Sequence, residues 1–172
     1  PAAQLATARQ AGSYPLVPYS NRLGYRRFRF KGKDYTTLAN FEGSPHSVHG
    51  VGWQQPWTLR SHSPLDAVMA LQHRADGHWP FSFEAVQYFS LTPHSLRLHL
   101  VVTNTDAVPQ PVGLGWHPYF PRRQRSRLHI ELSDRWDNDD AHLPTRKVPQ
   151  PGIDGDVVHL GFDNCFEGWA GN

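Results

Sequence analysis

The sequence predicts an all-β fold, an antiparallel sandwich or barrel, on three observations. Apolar and polar residues alternate with a period of two in several runs, turn-forming clusters separate those runs, and no stretch keeps a helical period over three turns. With 14 Gly and 15 Pro among 172 residues, long uninterrupted helices are hard to place. Six Trp, nine Phe and six Tyr suit pleated, half-buried surfaces and also flat binding surfaces.

In chain order, Phe28 to Phe30 and Tyr35 to Leu38 flank Lys31-Gly32-Lys33-Asp34, which suits a hairpin turn. Ala67 to His73 reads as a further strand, and Phe81 to Phe89 reads as a strand by its alternation. The clearest alternation is Leu96 to Val102, where Leu96, Leu98, Leu100 and Val102 are expected inside and Arg97 and His99 outside. Leu91-Thr92-Pro93-His94-Ser95 joins those two runs into an expected antiparallel hairpin. Leu128 to Leu132 is the last strand expected, again with a polar outer face.

The length suits one domain. The chain opens at Pro1 without a methionine and ends at Gly168 to Asn172, directly after a segment that reads as structural. The expectation is a single domain, residues 1–172, incomplete at both ends, because a sandwich cut there would expose an edge. A net charge of +2 does not suggest nucleic acid. The basic cluster Arg122 to Arg127 is interrupted and reads as a solvated loop, with a phosphate-binding patch as the sharper alternative. Cys165 is the only cysteine, so no internal disulfide forms and a reducing compartment fits. With neither a signal-peptide pattern nor a bilayer-length apolar run, the expectation is a cytoplasmic protein without a membrane partner.

Three segments carry candidate chemistry. In Pro15 to Gly24, Asn21 and Arg22 offer a fan of donors suited to sugar hydroxyls, or Arg22 simply pairs with a carboxylate in a rigid loop. In Pro45 to Trp57, glycines on either side of Val51 allow close backbone approach, and Trp53 and Trp57 read as a sugar-ring floor or as core. His46 and His49 lack supporting ligands nearby, so no metal is expected. In Pro111 to Pro121, His117 follows a glycine-spaced strand and precedes a proline, which presents a side chain at a strand end. An imidazole there suits general-acid work near neutral pH; a core histidine bonded to a carbonyl is the alternative.

Taken together, Pro18-Tyr19-Ser20-Asn21-Arg22, His49-Gly50 in its Gly-Trp context, His117-Pro118-Tyr119-Phe120 and Asp163-Asn164-Cys165-Phe166 resemble the aldose 1-epimerase (mutarotase) family. They stand in the family's order at compatible separations, from about Tyr14 to Trp169. The resemblance implies a large antiparallel β-sandwich of the galactose mutarotase type, a free hexose such as galactose or glucose as substrate, and no cofactor. It implies that His117 is the general acid with Tyr119 beside it, that His49 helps polarise the ring oxygen, that Arg22 with Asn21 holds sugar hydroxyls, and that Asp163 accepts from them. The family's general base is a glutamate near its C-terminus. None of Glu42, Glu84, Glu131 or Glu167 lies in a matching context, so the base is expected beyond Asn172. Two other readings share this fold: an epimerase of hexose 6-phosphates, using Arg26, Arg27 or the Arg122 to Arg127 cluster, and a non-catalytic sugar-binding domain.

Overall fold

Strand follows strand through the computed structural model, which describes residues 10–171; the only other regular elements there are short 3-10 turns. The fold divides into two compact units, one ending at Tyr119 and one beginning at Phe120. In the first unit the strands are β1 (Ser13–Leu16), β2 (Arg22–Leu23), β3 (Arg27–Phe30), β4 (Lys33–Thr36), β5 (Ser47–Val48), β6 (Thr58–His62), β7 (Asp66–His73), β8 (Phe83–Thr92), β9 (Ser95–Asn104) and β10 (Gly115–Pro118). Strands β6 to β9 form one four-stranded antiparallel sheet, and β1–β10, β2–β5 and β3–β4 form antiparallel pairs.

The expected hairpins are both present. Strands β3 and β4 close through Lys31 and Gly32, each with positive φ (47° and 80°), the backbone that a tight two-residue turn requires. Strands β8 and β9 pair from Phe83↔Asn104 to Thr92↔Ser95, with Pro93 and His94 at the turn. Phe83, Ala85 and Gln87 are buried on one parity of β8, and Val86 on the other parity is buried as well.

The core gathers Val17, Tyr19, Val51, Leu71, Trp79, Phe81, Phe83 and Ala85, with Leu23, Phe28, Tyr35, Trp57, Leu100 and Val102 packed against them. One face of the large sheet is thus covered by β2, β3, β4 and the Val17 to Tyr19 segment, which is the sandwich. Leu100 and Val102 face this core as expected, whereas Leu96 is 55% exposed and its cross-strand partner Leu91 46% exposed. A ten-residue strand rises about 33 Å. The turn end of this hairpin therefore runs beyond the cluster, which lies at the Phe83 end.

The second unit contains β11 (Arg127–Ile130), β12 (Asp134–Asn138), β13 (Pro144–Pro149), β14 (Ile153–Asp156) and β15 (Phe166–Glu167). Strand β11 pairs with β14, and β13, β12 and β15 form a three-stranded sheet. Ion pairs run between its strands, Arg146 on Asp137, Lys147 on Asp134 and Glu167, and Arg127 on Asp154 and Asp156, while Arg135 pairs with Asp137 along β12 itself. Among the described residues no helix is long and apolar enough to cross a membrane.

Candidate functional site

The β1–β10 register sets Tyr14 opposite His117, and residues two apart on a strand share a face, so Tyr119 comes to the same side. The His117 ring lies between two tyrosines, stacked on Tyr14 (centroids 4.8 Å apart) and on Tyr119 (4.7 Å). Tyr14 stacks in turn on Trp53 at 5.8 Å, and the Tyr14 and Tyr119 hydroxyls are 3.3 Å apart. Close approach is written into the strand: a Cβ on Gly115 would sit 3.1 Å from Ser20 Cβ and 3.3 Å from Leu16 Cδ1. Pro118 offers no ladder donor, and Tyr119 N–H resumes the pairing to the Gly12 carbonyl at 2.8 Å.

His49 is held from the other side. The Val17 carbonyl accepts from Val51 N–H (2.8 Å) and Gly52 N–H (3.0 Å), which draws the loop onto the core. Asn21 then grips His49 twice: its carbonyl accepts the His49 N–H at 2.8 Å, and its own N–H donates to His49 Nδ1 at 3.1 Å. Both residues occupy the left-handed region, φ 57° for Asn21 and 63° for His49. A non-glycine residue held there costs on the order of 1–3 kcal/mol and persists only where its surroundings over-determine it. Arg22 Nη1 donates to Asn21 Oδ1 at 3.0 Å, tying the guanidinium to the same corner.

The two imidazoles meet edge to face, centroids 5.3 Å apart and planes at 79°. Burial first, and then positive charge on His117 and Arg22, together push the His49 pKa down to about 4. His49 is therefore neutral near pH 7. With Nδ1 accepting from Asn21, the hydrogen-bond network assigns its proton to Nε2, leaving it a one-directional donor. His117 Nδ1 is buried and, among the described residues, has no hydrogen-bond partner. A buried polar atom left so is rare in a folded protein.

Of the sequence-predicted site residues, the structure brings Asn21, Arg22, His49, His117 and Tyr119 together in the first unit. Asp163 belongs to the second unit, where its carbonyl accepts from Asn138 Nδ2 at 2.8 Å and its side chain is exposed. His46, by contrast, is buried and accepts the Tyr25 N–H on Nδ1 at 2.8 Å, a structural task. Trp57 packs on the core, while Trp53 joins the aromatic column. Glu84 pairs with Arg60, and Glu167 bonds Lys147 and the Trp136 indole. In the basic cluster Arg127 is committed to Asp154 and Asp156, and Arg122 donates to the Val158 carbonyl at 2.9 Å. Among the described residues no three His, Cys, Asp or Glu side chains group as metal ligands.

Sequence reasoning missed Tyr14, whose place at the site comes only from its ring stacking on His117 of another strand.

The fold and this site define a galactose mutarotase-like β-sandwich. The model of the Aldose 1-epimerase family matches residues 3–169. The "Uncharacterized protein YphB" of Escherichia coli K12 is 35% identical over 177 aligned positions, covering 99% of this chain and 60% of that one. A crystal structure of a "Putative aldose 1-epimerase" from Escherichia coli K12 superposes with a TM-score of 0.87 at 32% identity, over 95% of this chain and 57% of that one. A galactose mutarotase-like protein from Clostridium acetobutylicum shares the fold, with a TM-score of 0.70 at 19% identity over 83% of this chain and 47% of that one. This chain belongs to the aldose 1-epimerase family. It spans 60% of the length of YphB.

Proposed function

We propose that the protein interconverts the α and β anomers of a free hexose by general acid–base ring opening. The observation that carries this reading is the edge-to-face pair of imidazoles, one neutral with a fixed Nε2–H and the other with a buried, unpartnered nitrogen, beside the Asn21–Arg22 corner.

Opening a cyclic hemiacetal requires a proton to leave the anomeric hydroxyl as another reaches the ring oxygen. His117 delivers the proton to the ring oxygen as its bond to the anomeric carbon breaks, and His49, a neutral donor, polarises the same oxygen. A carboxylate takes the proton from the anomeric hydroxyl, whose oxygen becomes the aldehyde oxygen. Rotation about the bond to the next carbon presents the other face of the aldehyde. The ring hydroxyl then attacks it, returns its proton to His117, and the carboxylate protonates the new anomeric oxygen. The glutamate that the family carries near its C-terminus is the base in this scheme.

Arg22 and Asn21 hold sugar hydroxyls, with the guanidinium already oriented by Asn21 Oδ1. Tyr119, 47% exposed and stacked on His117, offers an aromatic face to the ring. The test is anomer exchange of α-galactose and α-glucose by the full-length protein, followed by polarimetry. Exchange well above the buffer blank supports the reading; exchange at the blank rate with sugar bound favours a binding domain instead.

A further inference from the structure

We propose that Asn40 is a positioning residue that holds His49 in its left-handed backbone conformation and thereby aims the His49 imidazole. Asn40 touches neither the ring of His49 nor that of His117 in any bond described above; it acts on the chain on both sides of His49. Its Oδ1 accepts the Val48 N–H at 2.7 Å, and its Nδ2 donates to the Val48 carbonyl at 2.9 Å and to the Gly50 carbonyl at 2.8 Å. One primary amide carries two donor hydrogens and an acceptor oxygen, and here all are spent on the residues immediately before and after His49.

The local geometry explains why such a bracket is needed. Strand β5 is two residues long and ends at Val48, so the ladder to β2 stops one residue short of His49. The Asn40 amide takes the place of a neighbouring strand for Val48 and then reaches across to Gly50. Asn40 is itself anchored, since Gln54 Nε2 donates to its carbonyl at 2.9 Å. The Trp53 indole adds a second donor to the Val48 carbonyl at 3.2 Å. Beneath the loop the buried hydroxyls of Thr37 and Ser47 bond each other at 2.7 Å. Asn21 fixes the imidazole, and Asn40 fixes the backbone from which that imidazole projects.

The inference rests on the proposed epimerase reading for its kinetic consequence but not for its structural one, and the experiment separates the two. Asn40→Asp keeps the shape and the acceptor for Val48 N–H while setting carboxylate oxygen against the Val48 and Gly50 carbonyls. Asn40→Ser is the milder variant, to be read in the same way should the carboxylate prevent folding. The readout is the ring-nitrogen NMR pattern of ¹⁵N-histidine-labelled full-length protein, with anomer exchange measured alongside. In the parent, His49 shows an unprotonated Nδ1 and a protonated Nε2 across neutral pH. In the variants this single pattern gives way to a mixture of tautomers, and kcat falls by about 10²-fold, the scale of an ångström-sized misplacement, with KM changed far less.

Gln110→Ala serves as the control, because Gln110 holds the Trp79 indole and the Ser82 carbonyl elsewhere in the unit. It lowers the melting temperature and leaves the His49 pattern intact. Folded Asn40 variants whose His49 signals and kcat match the parent would overturn the assignment, whatever their melting temperature. If the parent itself exchanges no anomers, the epimerase reading fails while the NMR arm still decides for or against Asn40.

Discussion

Replacing Gly50 with alanine would put a methyl group 2.7 Å from Pro18 N and harder still against the Val17 carbonyl, on a residue with φ of +68°. Two costs follow. The left-handed conformation penalises an L-residue by about 1–2 kcal/mol. The Val17 carbonyl, which accepts both Val51 N–H and Gly52 N–H, must move, and each weakened bond forfeits roughly 0.5–1.5 kcal/mol. Together the substitution is expected to destabilise the fold by about 2–5 kcal/mol. For a protein of this size each kcal/mol lowers Tm by about 2–4 °C, which makes the expected fall on the order of 10 °C. Thermal unfolding followed by circular dichroism measures it, with Gly113→Ala as the comparison, since a Cβ there meets nothing within 4 Å. A Gly50→Ala Tm within about 2 °C of the parent would refute the claim that backbone contact at Val17 fixes the His49 loop.

Arg22→Ala should raise KM or the sugar Kd by roughly tenfold or more, with a smaller change in kcat, because a charge-assisted bond to a hydroxyl is worth about 1.5–3 kcal/mol; titration calorimetry alongside kinetics reads the split. The His49 pKa of about 4, below its ordinary 6.5, predicts a pH dependence of stability. Between those values the unfolded chain binds the proton and the folded one does not, so stability falls as pH drops through that window. His49→Asn, which tolerates the left-handed backbone, should flatten the parent's slope of denaturant midpoint against pH in that range, and an unchanged slope would count against the assignment. Lys147→Ala should lower the stability of the second unit only slightly, because its bonds to Asp134 and Glu167 are largely exposed, and urea unfolding checks this.

The parts of the fold legible in the sequence are those whose determinants are local. Strands β3–β4 and β8–β9 announce themselves because alternation and turn residues lie within one short window, and their pairing partner is the next strand. Strand β1 does not: Pro15 interrupts its pattern, and its partner β10 is a distant segment joined by the Tyr14↔His117 register. Strands β12 and β13 are hidden for another reason. Asp134, Asp137 and Lys147 are poor strand formers by propensity, and the side chains that meet across the pair are charged, Arg146 on Asp137 and Lys147 on Asp134, so no apolar alternation marks the strands.

The candidate site divides the same way. His117, His49, Asn21 and Arg22 were legible from their motif setting, and the structure adds how each is held. Tyr14 and Asn40 escaped because their significance is wholly tertiary. Asn40 matters through bonds to backbone groups of Val48 and Gly50, and Tyr14 through a ring stacked on a residue of another strand. The exposed turn end of β8–β9 shows the converse, in which clean alternation marks a strand without saying how far the core beneath it extends.

In the proposed mechanism His117 moves the proton that opens the sugar ring. The most direct test of that role is exchange NMR between the anomers of galactose and glucose, run on the full-length parent and on His117→Ala, with sugar binding measured on both. Exchange is expected far above the blank in the parent and lower by about 10²–10⁴-fold in the variant, with binding retained. A His117→Ala protein that exchanges anomers at the parent rate would contradict that role.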